Sequence, residues 1–333
     1  MFTNHKLLRT WGRPYLPLGK RTLYSIKSAM SNSSIQKVVV VGASGSVGKS
    51  TVKALLGEGF QVTGVTRETS KATLPEGVRH IKSEYSEASL REAFDDQDAV
   101  ISTIGSITPG EALTIQKQLI DAAIAAGVKV FFPSEYGIDT SDPSAQEYIP
   151  FLADKIQTLD YLKTQQDKIS WTAVVSGSMF DWGLDIPGFG GLNVPASTVT
   201  IFDGGDISFE ATNLFQVGRA IAKCLKKPDL SKNQYVYVNS FTVTQNRVLA
   251  ALEKAAGKKF TVSESTVEQL WADGAENVKA GQPMGILAMI AGAIYGKGGL
   301  ARFSMTKGLW NEKLDLPQED LDECVKEYLA GKK

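Results

Sequence analysis

Residues Val38-Val-Val-Val-Gly42-Ala-Ser-Gly45-Ser-Val-Gly48 join four β-branched residues in a row to three glycines spaced G-x-x-G-x-x-G. A valine run without polar alternation suits a parallel strand whose two faces are both covered by helices. The glycines then serve three needs. The first allows a sharp turn, the second lets backbone N–H groups approach a pyrophosphate, and the third lets a helix pack closely on the strand. The stretch predicts strand, turn and helix, the helix covering roughly Ser46 to Leu56 with its positive N-terminal end facing phosphates. A second strand, Gln61-Val-Thr-Gly-Val-Thr66, follows at the distance a βαβ unit requires. The ligand this points to is a dinucleotide, held by Gly42, Ala43, Ser44, Gly45, Ser46, Val47 and Gly48.

A looser pattern overlaps it. Ala43-Ser-Gly-Ser-Val-Gly48-Lys49-Ser50 resembles a P-loop, with Lys49 and Ser50 placed for terminal phosphates and magnesium. A P-loop enzyme also needs an acidic residue at the end of a neighbouring apolar strand. Here Asp98-Ala-Val-Ile-Ser-Thr-Ile-Gly105 ends in Ser, Thr and Gly, and Val128-Lys-Val-Phe-Phe132 runs into Pro133, so nucleotide hydrolysis is the weaker reading.

The end of the second strand selects the cofactor. A carboxylate there favours NAD, whereas the 2′-phosphate of NADP needs room and positive charge. The strand runs into Arg67, about twenty residues beyond the glycine turn, with Lys71 shortly after. Glu68 is turned to the other face by strand alternation. Arg67 and Lys71 therefore predict NADP(H).

Of 333 residues, 43% are hydrophobic, enough for one large core or two modest ones. Cys224 and Cys324 lie far apart, and His5 and His80 share no ligand spacing, so neither a disulfide framework nor a metal site is expected. Formal net charge is zero, but Lys6, Arg9, Arg13, Lys20, Arg21 and Lys27 all fall in the first 29 residues, which hold no acid. The rest of the chain is mildly acidic, against a nucleic-acid-binding face. The basic, acid-free opening has the composition of a mitochondrial presequence, although Pro14 and Pro17 interrupt any single helix. Met30 offers an alternative start. The expectation is mitochondrial if residues 1–29 are translated and cytoplasmic otherwise. The most apolar run, Pro283 to Tyr295, is shorter than the ~18–20 residues of a membrane span and reads as a buried helix or pocket wall.

Strand-like runs near 38–41, 61–66, 79–82, 99–103, 128–132, 171–175 and 235–239 alternate with helical patterns, notably Glu111–Ala126 and Asn213–Lys227. The expected fold class is α/β, a doubly wound parallel (Rossmann) sheet with a smaller C-terminal substrate lobe built from insertions. Residues 1–37 form a basic extension, 38–177 and 213–257 the dinucleotide domain, and 178–212 and 258–330 the lobe. Ligands in such sheets bind beyond the carboxyl ends of the strands. That places Thr103, Ile104, Gly105, Pro133 and Ser134 beside the cofactor, and Ser134, Gly177, Met179, Phe180 and Trp182 in a substrate pocket.

Beyond Pro150, Phe151, Leu152, Ile156, Leu159 and Leu162 form an apolar helical stripe, and Lys155 lies inside it. Such a lysine either snorkels to solvent or is buried with a lowered pKa, ready to exchange a proton near neutrality. Together the Gly-Ala-Ser-Gly-Ser-Val-Gly turn at 42–48, Arg67, the Phe-Phe-Pro-Ser-Glu-Tyr-Gly block at 131–137 and Lys155 resemble the NmrA-like branch of the atypical short-chain dehydrogenases, which includes the isoflavone reductase-like enzymes. The resemblance spans about Val38 to Leu329. It implies an NADPH-binding domain, a C-terminal substrate lobe, and Lys155 at the nicotinamide ribose as acid/base. The Tyr-x-x-x-Lys pair of ordinary short-chain dehydrogenases is absent, Tyr148 being seven residues from Lys155. Plant reductases of the family tend to carry a basic residue one turn past the lysine, where this chain has Leu159, and the block Trp182–Pro195 looks unlike a plant phenylpropanoid pocket.

Two functions follow from the resemblance. One is an NADPH-dependent reductase of a small organic electrophile: an enone, imine, quinone or carbonyl. The other is an NADP(H)-binding redox sensor that docks on a partner protein without turnover, and relatives of that kind generally lack the active lysine.

Overall fold

In the computed structural model, which describes residues 35–331, β1 (Lys37–Val41) lies in the middle of the main sheet. Residues 1–34, and with them the expected presequence and alternative start, lie outside the described residues. Val38 to Val41 are all at 0% exposure. Val38 and Val40 pack on one face of the sheet, Val39 and Val41 on the other. This is the strand alternation of a ribbon covered on both sides.

The chain continues through β2 (Gln61–Arg67), β3 (Val78–Ser83), β4 (Ala99–Ser102), β5 (Val130–Phe132) and β6 (Ser170–Val175). After β7 (Ser178–Met179), β8 (Leu192–Asn193), β9 (Thr198–Phe202) and β10 (Phe209–Thr212) it returns as β11 (Gln234–Tyr237), followed by β12 (Phe241–Val243) and β13 (Thr261–Ser265). The seven-stranded sheet has the order β11-β6-β5-β4-β1-β2-β3 and is parallel throughout. Strand order reverses at β1, between β2 and β4, opening the crevice where doubly wound sheets bind ligands.

Helices of eight or more residues are labelled α1 (Ser46–Gly57), α2 (Glu87–Phe94), α3 (Glu111–Ala125), α4 (Leu152–Thr164), α5 (Leu214–Lys226), α6 (Gln245–Ala256), α7 (Val267–Lys279), α8 (Ile286–Tyr295) and α9 (Leu321–Ala330). α1 and α5 cover one face through Val52, Leu55, Val217 and Ile221. α2, α3 and α4 cover the other through Leu90, Leu119, Ile120, Leu159 and Leu162. No helix among the described residues is long and apolar enough to cross a membrane.

A second core joins Phe180, Phe209, Ile286, Met289 and Ile294. Its sheets are β12-β10-β7 and β13-β9-β8. Two boundaries differ from the expectation. Residues 241–256, assigned above to the Rossmann domain, leave the main sheet: β12 pairs antiparallel with β10, and Phe241, Val243, Val248 and Leu252 enter the lobe core. Alternation in β12 turns both of its apolar residues inward and leaves Thr242 exposed. Conversely Phe303, Leu314 and Leu316, assigned to the lobe, return to the main sheet, Phe303 against Val175 and Tyr237 and the two leucines against the α1 face.

α1 comes close to the turn that follows β1 at Gly48, where a Cβ would lie 2.2 Å from the Gly42 carbonyl oxygen and 2.9 Å from the Ala43 Cα. Backbone on both sides leaves nothing flexible to yield. Gly48→Ala is expected to cost about 1–3 kcal/mol or more, lowering Tm by several degrees in a thermal melt. Gly57→Ala, in the same helix with nothing within 4 Å of its Cβ, serves as the control and should leave Tm unchanged or raise it.

Candidate functional site

The turn after β1 is held by its own backbone. The Gly42 and Ala43 amides donate to the Val65 carbonyl at 2.9 and 3.2 Å, and the Gly45 amide donates to Gly42 O at 2.9 Å. The Thr103 hydroxyl donates to Val41 O (2.9 Å) and Gly42 O (3.1 Å), clamping the turn to the end of β4. Gly42 has φ +84°, and a Cβ there would stand 2.8 Å from that hydroxyl, so the position admits only glycine. Gly45 caps α1 without a side-chain bond, and the first turn of α1 carries no acid. The amides of Ser46, Val47 and Gly48 are therefore free of intrahelical partners and suited to an anion such as a pyrophosphate. Arg67 and Lys71 are exposed, and neither is paired with a carboxylate among the described residues. Two free cations at the end of β2 fit a 2′-phosphate.

Next to this turn is a cavity of about 570 Å³ between the strand ends and the lobe. Of the residues expected at the cofactor, Val47, Thr103, Ile104, Gly105, Ser134 and Lys155 line it. Of those expected at the substrate, Ser134, Gly177, Met179 and Trp182 do. The remaining turn residues, Arg67, Lys71 and Pro133 lie outside its wall. Phe180 is a correction. It turns into the lobe core and meets Phe241 edge to face, ring centroids 5.3 Å apart, because Met179 and Trp182 occupy the cavity side of that turn.

Lys155 is the one cationic side chain among the described residues lining the cavity. Its Nζ donates to the backbone carbonyl of Glu135 at 3.0 Å. Burial pushes the amine below the ordinary lysine range, and the Glu135 carboxyl pulls it part of the way back. Glu135 is 1% exposed. Burial raises its carboxyl above the usual range, while the charge of Lys155 and a hydrogen bond from the Thr140 hydroxyl oppose the rise.

Several wall residues were not anticipated. Asp154, 6% exposed, accepts from the Gly110 amide (3.0 Å) and the Leu113 amide (3.3 Å), capping α3 from α4. Gln116 donates to Ser102 Oγ (2.9 Å) and Ile104 O (3.3 Å), and its place three and four residues before Leu119 and Ile120 was the available signal that it faces inward. Phe189 stacks edge to face on Trp182 at 5.6 Å from within a glycine-rich segment that carries no periodicity. The far wall is completed by Ile286, Leu287, Ile290 and Ile294 of α8, from the 283–295 run that the sequence reads as a buried helix or pocket wall.

Fold and site together define a dinucleotide-type α/β protein with an apolar cavity and a half-buried lysine at its strand ends. The NmrA-like family model matches residues 34–293, and the chain belongs to that family. It is 35% identical to oxidoreductase aprR of Aspergillus flavus over 302 residues, covering 89% of this chain and 99% of the relative. It is 27% identical to a phenylcoumaran benzylic ether reductase of Ginkgo biloba, covering 88% and 99% of the two chains. Leucoanthocyanidin reductase of Vitis vinifera, solved as a binary complex with NADPH, shares the fold at TM-score 0.71 and 20% identity, over 88% of this chain and 99% of that one.

Asp154→Ala would leave two amides at the start of α3 without their acceptor, a loss of about 1–2 kcal/mol. Urea denaturation should register it, and amide exchange at Gly110 and Leu113 should accelerate.

Proposed function

We propose that this chain is an NADPH-dependent reductase of a small, uncharged and largely apolar organic electrophile, with Lys155 as acid/base. The observation that carries the reading is the Lys155 amine, anchored on the Glu135 carbonyl at 3.0 Å in the wall of a cavity that begins at Val47 of the glycine turn. The uncapped start of α1 would hold the pyrophosphate, Arg67 and Lys71 the 2′-phosphate, and Thr103, Ile104, Gly105, Pro133 and Ser134 the nicotinamide half. When bound, NADPH supplies the hydride. The chain's own work is to place the substrate, exclude water and deliver the accompanying proton from Lys155 Nζ. Trp182, Phe189, Ile290 and Ile294 favour flat or branched apolar molecules over phosphorylated or carboxylated ones, since Lys155 is the one cation lining the cavity among the described residues. The names of the relatives, an oxidoreductase and a benzylic ether reductase, support the reaction type.

Arg67→Ala combined with Lys71→Ala should weaken NADPH binding about ten- to a hundredfold while leaving NADH little changed, read by fluorescence titration. Equal losses for both cofactors would refute the 2′-phosphate assignment.

Lys155→Ala should lower turnover about 10²- to 10⁴-fold with NADPH affinity retained. Burial lowers the pKa of Lys155, so a reaction that needs its ammonium is full below that pKa and is lost as pH rises through it. The alkaline limb of kcat/KM should disappear in Lys155→Arg, whose charge does not titrate in the range. A wild-type limb preserved in that variant would count against the role.

A further inference from the structure

Glu135 meets Lys155 in two ways. Its carbonyl oxygen accepts from Nζ at 3.0 Å, and its carboxyl, on the same residue and 1% exposed, makes no ion-pair contact with Nζ but acts on the amine as a buried charge. The backbone cannot move far, because the Glu135 amide donates to Pro133 O at 2.8 Å and the neighbouring Gly137 carbonyl accepts from Ser176 (3.1 Å) and Gly177 (2.7 Å). The carboxyl is oriented by the Thr140 hydroxyl, which donates to Oε2.

Few groups compete for this carboxyl. α4 presents Lys155 and, farther along, Lys163; the loop after β5 presents Asp139 and Tyr136; β11 presents Tyr235 and Tyr237. Asp139 is engaged by the Ser141 amide (2.8 Å) and the Tyr237 hydroxyl (3.2 Å). Asp154, next to Lys155 in sequence, spends both oxygens on the start of α3. Glu135 is thus the carboxyl left to act on the Lys155 amine.

We propose that Glu135 is a positioning residue for Lys155: its carbonyl aims Nζ along the cavity wall, and its buried carboxylate holds the amine in the ammonium form. The proposal deepens the acid/base reading of Lys155 and rests on it for its functional meaning, but the electrostatic pairing stands independently. A buried amine without a counter-charge sheds its proton, leaving nothing to accompany a hydride. A carboxylate within about 4–6 Å raises an amine's pKa by about 1–3 units.

Arylation by fluorodinitrobenzene tests the pairing without a known substrate. Only the free amine reacts, so the pH midpoint of the Lys155 rate, followed by peptide mass spectrometry on the intact chain, reports its pKa. In Glu135→Gln, which keeps shape and carbonyl, the midpoint should fall by about one unit or more. Thr140→Val, which keeps the carboxyl but frees it, should shift the midpoint the same way by less, and it carries the test if the glutamine variant does not fold. Unchanged or raised midpoints overturn the proposal. A lowered midpoint combined with undiminished turnover in Lys155→Ala would leave the pairing standing and sink the acid/base assignment instead.

Discussion

Burial of β1 on both faces is the constraint on which everything else rests. Four consecutive valines at 0% exposure can be satisfied only by a strand with neighbours on either side and helices above and below. Pairing to β2 on one side and β4 on the other makes β1 the point where strand order reverses. The ends of β1, β4 and β5 then open into the same crevice. Gly48 adds a steric condition, since α1 can lie against the turn after β1 only if that residue lacks a side chain. The contact that packs the helix also leaves its first amides without intrahelical partners beside the crevice, an arrangement suited to an anion.

The second element of the site is a conflict between patterning and charge. Lys155 stands in the stripe that buries Leu159 and Leu162 in the sheet-facing core of α4, yet it lies one turn nearer the strand ends, where the core gives way to the cavity. Its amine donates to the Glu135 carbonyl, and the buried Glu135 carboxyl acts on its charge. Asp154 beside it does the opposite job, fixing α4 to the start of α3 and so holding the Ile104 to Gly110 wall in place. In the proposed reading, adjacent residues on one helix turn divide proton chemistry from scaffolding.

Much of this was legible in the chain. The β1 pattern, the glycine spacing, Arg67 at the end of β2 and the out-of-place Lys155 are local signals, because each depends on a period or a spacing of a few residues. The lobe was legible only as a break in alternation. Where Phe241, Val243 and Leu252 would pack depended on β12 finding β10 rather than the main sheet, a pairing that no local period encodes. Met179, Phe180 and Trp182 are equally apolar in sequence, but the short turn they share sends Phe180 to the lobe core and the other two to the cavity.

Glycine and β-branched residues restrict backbone and burial within a few residues of themselves, so the doubly wound sheet and its glycine turn could be read from the chain. Which groups share the cavity was set by long-range packing. Glu135 and Lys155, twenty residues apart in the chain, meet because β5 and α4 pack on the same edge of the crevice. Phe189 reaches Trp182, and α8 lines the same cavity beside them, through an arrangement that the folded lobe alone creates.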